Sequence, residues 1–236
     1  TNDASATGIG SIDSTGSVNT DAGFSIMSYT GTGSVETFAH GLNSAPELVI
    51  LRNREVASNW WVWGELLGNN QIMELDTTSA KYNPNGNYHN DTMPTSSVIS
   101  IGSDGQVSGN GQSHICYAFH SVQGYSKFSS YIGGGSNFPF IYTGFKPAFM
   151  MVKRAVGGTG SWAITDGKRD TFNAVDNYLS ANNANAESDF DHADFLSNGI
   201  KFRTNNDGWN QSGDTYIYMA FASNPLVTST GVPATA

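Results

Sequence analysis

The sequence predicts an all-β fold made of two tandem, pseudo-symmetric antiparallel β-sandwich halves, jelly-roll-like and tightly packed together. Three observations carry that expectation. The chain repeats itself: Gly23-Phe24-Ser25-Ile26-Met27-Ser28-Tyr29 returns as Gly124-Tyr125-Ser126-Lys127-Phe128-Ser129-Ser130-Tyr131, and three further blocks follow at an offset of 101 or 102 residues. A repeat of that length exceeds a solenoid unit of roughly 20–50 residues and suits a small sandwich domain. Short apolar or alternating runs are separated by Gly, Asn, Asp and Ser clusters, as in strands joined by turns. Only 13% of the 236 residues are charged, against about 25% in an ordinary soluble domain. Asn, Ser, Thr and Gly therefore carry solubility, the profile of extracellular β-structures and virion proteins.

Taken in order, residues 1–22 hold only Ile9, Ile12 and Val18 as larger apolar side chains. So little burial cannot offset ordering entropy, and the segment reads as a linker or extended tail. The first half spans 23–123 and opens with a strand over Phe24 to Tyr29. Pro46 then introduces Glu47 to Leu51, a mostly continuous apolar run typical of a central strand buried on both faces. Strands are also predicted at Trp60 to Gly64, Ile72 to Leu75 and Val98 to Ile101. Ile115, Tyr117 and Phe119 alternate with Cys116, Ala118 and His120, one large-residue face and one mostly smaller. The second half, 124–226, repeats the pattern at Tyr125 to Tyr131, Phe149 to Val152, Ser161 to Thr165, Ile200 to Phe202 and Ile217 to Phe221. That gives six or so strands per half. Thr171 to Asn183 is the best helical pattern in the chain, weakened by its Asn-rich end. Only Val122 and Gln123 join the halves, too short a connection for a free hinge. Residues 227–236 read as a C-terminal tail.

Composition also excludes partners. A formal charge of −9, from 11 basic and 20 acidic residues, opposes nucleic-acid binding and attraction to anionic lipid. Cys116 stands alone, which rules out an intrachain disulfide and reads as a buried small hydrophobe. No segment is long and apolar enough to span a bilayer as a helix, so no membrane insertion is expected. The chain carries no nucleophile elbow, zinc-protease helix or phosphate loop, and no enzyme is predicted. Glu65 and Glu74 could form a glycosidase pair, a weak signal among 20 acids.

Residues unmatched between the halves are where function is sought. In Asn59-Trp60-Trp61-Val62-Trp63, the repeat matches Trp61 with Trp162 and leaves Trp60 opposite Ser161. Trp60 is then either a sugar-stacking platform or a packing residue. The loop Lys81 to Asp91 supplies Tyr82, Asn87 and Tyr88, the composition of an adaptable recognition surface or of a solvated loop. Its counterpart, Asn182 to Asp194, carries Asp189, Asp191 and Asp194, which are either calcium ligands or a solvated acidic loop. Calcium is the one cofactor the sequence allows.

The blocks Gly23-Phe24-Ser25-Ile26, Tyr29-Thr30-Gly31, His40-Gly41-Leu42 and Ala45-Pro46, followed by Tyr117-Ala118-Phe119-His120-Ser121-Val122 and Gly124-Tyr125-Ser126-Lys127, resemble a β-rich domain of uncharacterised function. It recurs near the C-termini of large structural proteins of tailed bacteriophages, notably of marine and cyanobacterial hosts. The resemblance covers nearly all of Gly23 to Pro225 and is most specific from Tyr117 to Lys127. It implies a distal module of a virion structural protein; with the low charge, Trp60 and the Asn- and Tyr-rich loop, the expectation is a tail fibre or receptor-binding protein exposed on the virion and contacting a host-surface glycan or protein. It also implies other virion proteins as partners and a homotrimer. A head-decoration or cement role is the alternative, and a polysaccharide depolymerase a third. The resemblance supplies no site residues.

Overall fold

The computed structural model describes residues 1–224; the predicted C-terminal tail, 227–236, lies outside them. The chain divides into two compact units, Thr1–Glu74 with Lys81–His120, and Leu75–Ala80 with the chain from Ser121 onward. Both are all-β apart from single-turn helices.

The first unit holds β1 (Thr15–Asn19), β2 (Phe24–Thr30), β3 (Glu36–Ala39), β4 (Leu48–Asn53), β5 (Trp61–Trp63), β6 (Met73–Glu74), β7 (Val98–Ile101) and β8 (Ser113–Phe119), with short helices α1 (Ala4–Thr7) and α2 (Gly105–Ser108). Six strands form an antiparallel sheet in the order β1-β2-β8-β4-β5-β6, and β3 pairs with β7 in a separate ribbon. Strand alternation sends Met27, Tyr29, Val49, Leu51, Trp61, Trp63, Cys116 and Ala118 to one face of the sheet, where Phe38, Ile99 and Ile101 of the ribbon meet them. The result is a sandwich of unequal layers. Each large aliphatic or aromatic side chain so enclosed contributes about 1.5–3 kcal/mol.

The second unit holds β9 (Ser126–Ile132), β10 (Phe140–Tyr142), β11 (Pro147–Val156), β12 (Ala163–Asp166), β13 (Val175–Ser180), β14 (Ser188–Leu196), β15 (Gly199–Phe202) and β16 (Thr215–Ala222). They form one sheet in the order β10-β15-β14-β13-β12-β11-β16-β9. Its two ends share one core: Tyr131 and Tyr216 from one side pack with Phe195, Ile200 and Phe202 from the other. The sheet therefore curls on itself towards a barrel.

Both sheets contain a four-strand run in the same order, β2-β8-β4-β5 and β9-β16-β11-β12. The ladders agree as well. Tyr29 faces His114 and Tyr131 faces Tyr216; Leu48 and Phe149 face Phe119 and Phe221. In both runs the tyrosine ring stacks on that cross-strand partner with centroids 5.0 Å apart. Its hydroxyl donates to a backbone carbonyl 78 residues on, Val107 for Tyr29 and Trp209 for Tyr131, each at 2.6 Å.

Four expectations need correction. Residues 1–22 are not a free linker. β1 pairs with β2 along its whole length, Asn2 bridges Ser14, and Ile12 bridges Phe38. Asp3 caps α1, and Asp13 accepts from the Ala4 amide at 2.8 Å. Backbone pairing, which the apolar count ignores, holds this segment. Gly16 permits it, since a Cβ there would lie 1.8 Å from the Ile26 carbonyl oxygen. Thr171 to Asn183 is no helix: residues 175–180 are β13. Asp170 takes the Asp176 and Asn177 amides at 3.1 and 2.9 Å, and Val175, β-branched and buried, fits a strand better than a helix. Among the described residues each unit has eight strands, where six or so are expected. Finally, Leu51 pairs with Trp61 whereas Val152 pairs with Ala163. Ala163, not Trp162, holds the place of Trp61, so Trp60 falls opposite Trp162 and loses its standing as the unmatched tryptophan.

Candidate functional site

The four aromatic and amide residues singled out in the first unit are not brought together. Trp60 lies beside Tyr117 (6.2 Å between centroids) with the Arg52 guanidinium 5.1 Å over its ring. Tyr117 belongs to the sheet face opposite the core. Tyr88 lies on the core side, its ring 4.2 Å from that of Trp61. Its hydroxyl accepts from Gln106 Nε2 at 3.2 Å. Tyr82 is exposed and donates to Glu74 Oε1 at 2.8 Å. Burial first, and then the Glu74 carboxylate, raises the Tyr82 phenol; burial with Asp104 and Glu74 raises that of Tyr88. Both therefore stay protonated donors at any physiological pH.

The loop carrying them is built locally. Asn85, Asn90 and Asp91 take left-handed backbone conformations, which short polar residues tolerate. Gly102, at the end of β7, donates to the Tyr88 carbonyl at 2.8 Å; a Cβ on it would lie 2.0 Å from the Asn87 carbonyl oxygen. Asn87 is exposed, but its carbonyl accepts from the Asp104 amide at 3.1 Å. Tyr88 is thus a packing residue, while Tyr82 and Asn87 are the loop's solvent-facing groups.

The acidic segment of the second unit is mostly strand, not loop, because 188–196 form β14. Asp189 and Asp191 point outward, while Asp194 is buried and ion-paired with Arg203 Nε at 2.7 Å. Among the described residues no group of three His, Cys, Asp or Glu is placed to hold a metal ion. The three aspartates do not converge, and the calcium expectation does not hold for them. Glu187 is engaged by Arg169, which also holds Asp166 at 2.9 Å.

One concavity is not announced by the sequence. It is a cleft of about 410 Å³ in the second unit, between the β12–β13 connection and the entry to β11. Lys146, Lys168, Asp170, Phe172, Asn173 and Phe195 line it. Phe172 is 85% exposed, the most exposed large hydrophobic residue among those described. The loop presenting it is pinned on both sides. Asp170 accepts from two backbone amides and from Asn177 Nδ2 at 2.6 Å. Asn173 completes a pair of bonds with Phe195, donating to its carbonyl at 3.1 Å and accepting from its amide at 2.9 Å. Burial pushes the Asp170 carboxyl up, but the hydrogen bonds from Asn177 and Asp176 outweigh it and hold the group below the usual carboxylate range. Asp170 is therefore ionised and committed to the loop.

The family described as a domain of unknown function (DUF7483) matches residues 1–225, nearly the whole chain. The chain belongs to the DUF7483 family. No curated protein and no solved structure matches it. Membership in DUF7483 brings no site residues, so the cleft stands on its geometry. It lies within the 300–1,000 Å³ that small-ligand sites occupy. An aromatic face held out beside amide, hydroxyl and ammonium groups can stack on the C–H side of a sugar ring and bond its hydroxyls.

Proposed function

We propose that this chain is a non-enzymatic, distal module of a tail-fibre-like bacteriophage surface protein that adheres to a glycan on the host cell. The observation that carries the glycan reading is Phe172. A fully displayed aromatic on a loop fixed by Asp170 and Asn173 has little packing use where it stands and costs solvation. The bacteriophage context draws on the resemblance of Gly23 to Pro225 and on the low charge content.

The two units are proposed to be a duplicated, pseudo-symmetric sandwich. The shared strand run, the matched ladders and the equivalent Tyr29 and Tyr131 hydroxyl bonds support this. Duplication would leave the copies free to diverge in their loops, and the cleft belongs to the second copy alone.

The second reading is a structural decoration or cement protein assembled as an oligomer. β10 favours it: this strand closes one edge of the second sheet, with Phe140 43% and Tyr142 66% exposed. An exposed aromatic edge strand is a ready surface for another subunit. One experiment separates the readings. Purified protein is added to host cells before challenge with particles. The adhesion reading expects cell binding and blocked adsorption; attachment to particles without attachment to cells overturns it and supports decoration.

A further inference from the structure

We infer that the Phe172 cleft selects an anionic sugar, a pyranose ring stacked on Phe172 with its acidic substituent held by Lys146 and Lys168. The inference rests on the glycan reading and adds the charge of the ligand. Its basis is how the second unit distributes its cations. Arg154 is paired with Asp207 and Asp214, Arg169 with Asp166 and Glu187, and Arg203 with Asp194. Lys146 and Lys168 line the cleft from two separate connections, both exposed. Neither forms an ion pair among the described residues.

In a chain of net charge −9, two unneutralised ammonium groups beside one concavity create a local positive field. The one carboxylate in the lining, Asp170, offsets one of them and leaves the lining with one net positive charge. Asp170 already accepts from the amides of Asp176 and Asn177 and from the Asn177 side chain, so its oxygens are turned into the loop. Lysine suits this task, because its ammonium is a flexible point charge able to follow a carboxylate or sulfate on a mobile ring. The aromatic supplies the neutral part of recognition and the lysines the anionic part.

Three oligosaccharides of equal length test this by calorimetric titration: a uronate, a sulfated hexose and an uncharged hexose. The expected result is that an anionic oligomer binds at least about tenfold tighter than the uncharged one, as two charge-assisted contacts predict. That preference should shrink in high salt. Lys146→Gln with Lys168→Gln should abolish that preference with melting unchanged, and Phe172→Ala should weaken all binding. Preference for uronate over sulfate, or the reverse, identifies the acidic group. Equal binding of charged and uncharged oligomers, still dependent on Phe172, overturns the charge selectivity and leaves the glycan reading standing. No binding of any of the three at millimolar concentration overturns both.

Discussion

Replacing Tyr29 and Tyr131 by Phe tests the equivalence of the two units most sharply. Each hydroxyl is buried and donates at 2.6 Å to a backbone carbonyl, of Val107 or Trp209, far along the chain. Burial raises both phenols well above their ordinary value, so each is a donor at every accessible pH. The substitution keeps the ring, and with it the stacking on His114 or Tyr216 at 5.0 Å. What is lost is one hydrogen bond, leaving a buried carbonyl without that donor. The cost is about 1–3 kcal/mol, the desolvation penalty of an orphaned buried polar group. Both single variants should fall in that range and near each other. The double variant should sum them to within about 0.5 kcal/mol, since the two side chains belong to separate cores. Urea denaturation followed by far-UV circular dichroism reads the values. A loss below about 0.5 kcal/mol for either variant would refute the assigned role, because it would mean the hydroxyl anchors nothing.

Stability should fall as pH drops below about 6.5. His40, His89, His114 and His192 are buried, and burial lowers each below the ordinary 6.5 despite hydrogen bonds to carbonyls that oppose it. The unfolded chain then takes up protons that the folded chain refuses, from 6.5 down to the folded values, at up to about 1.4 kcal/mol per pH unit for each group. Urea midpoints that stay flat or rise from pH 7 to 5 would contradict this. Gly16→Ala should destabilise the first unit by more than about 1 kcal/mol, because its Cβ would collide with the Ile26 carbonyl in the β1–β2 ladder; an unchanged melting temperature would show β1 to be dispensable. Trp162→Ala should cost about 3–5 kcal/mol, as expected for a 3%-exposed tryptophan, with thermal unfolding as the readout.

Much of the fold is legible where side chains alone decide it. Val98 to Ile101 and Ile115 to Phe119 alternate or run apolar, and they form β7 and most of β8. Elements held by the backbone are not legible. β1 buries none of its five residues and persists through its ladder to β2. β14 breaks the alternation rule: His192, Ala193, Asp194 and Phe195 are all buried, with an irregularity where it pairs with β13. Its acids therefore look like a loop in the sequence. Trp61 and Trp162 share an identity but stand one residue out of register, which only the ladders reveal. The cleft was hidden for another reason. Lys146, Phe172 and Phe195 come from three connections or strands, and nothing local in Lys168-Arg169-Asp170-Thr171-Phe172-Asn173 announces that Asp170 and Asn173 will hold Phe172 outward.

The central claim is that Phe172 presents the host-glycan contact. Binding of wild-type protein and of Phe172→Ala to immobilised host-surface polysaccharide tests it most directly. Since the side chain is 85% exposed, the variant should melt within about 0.5 kcal/mol of wild type. The account predicts retention of wild type and loss of the variant. Equal retention of both would contradict it.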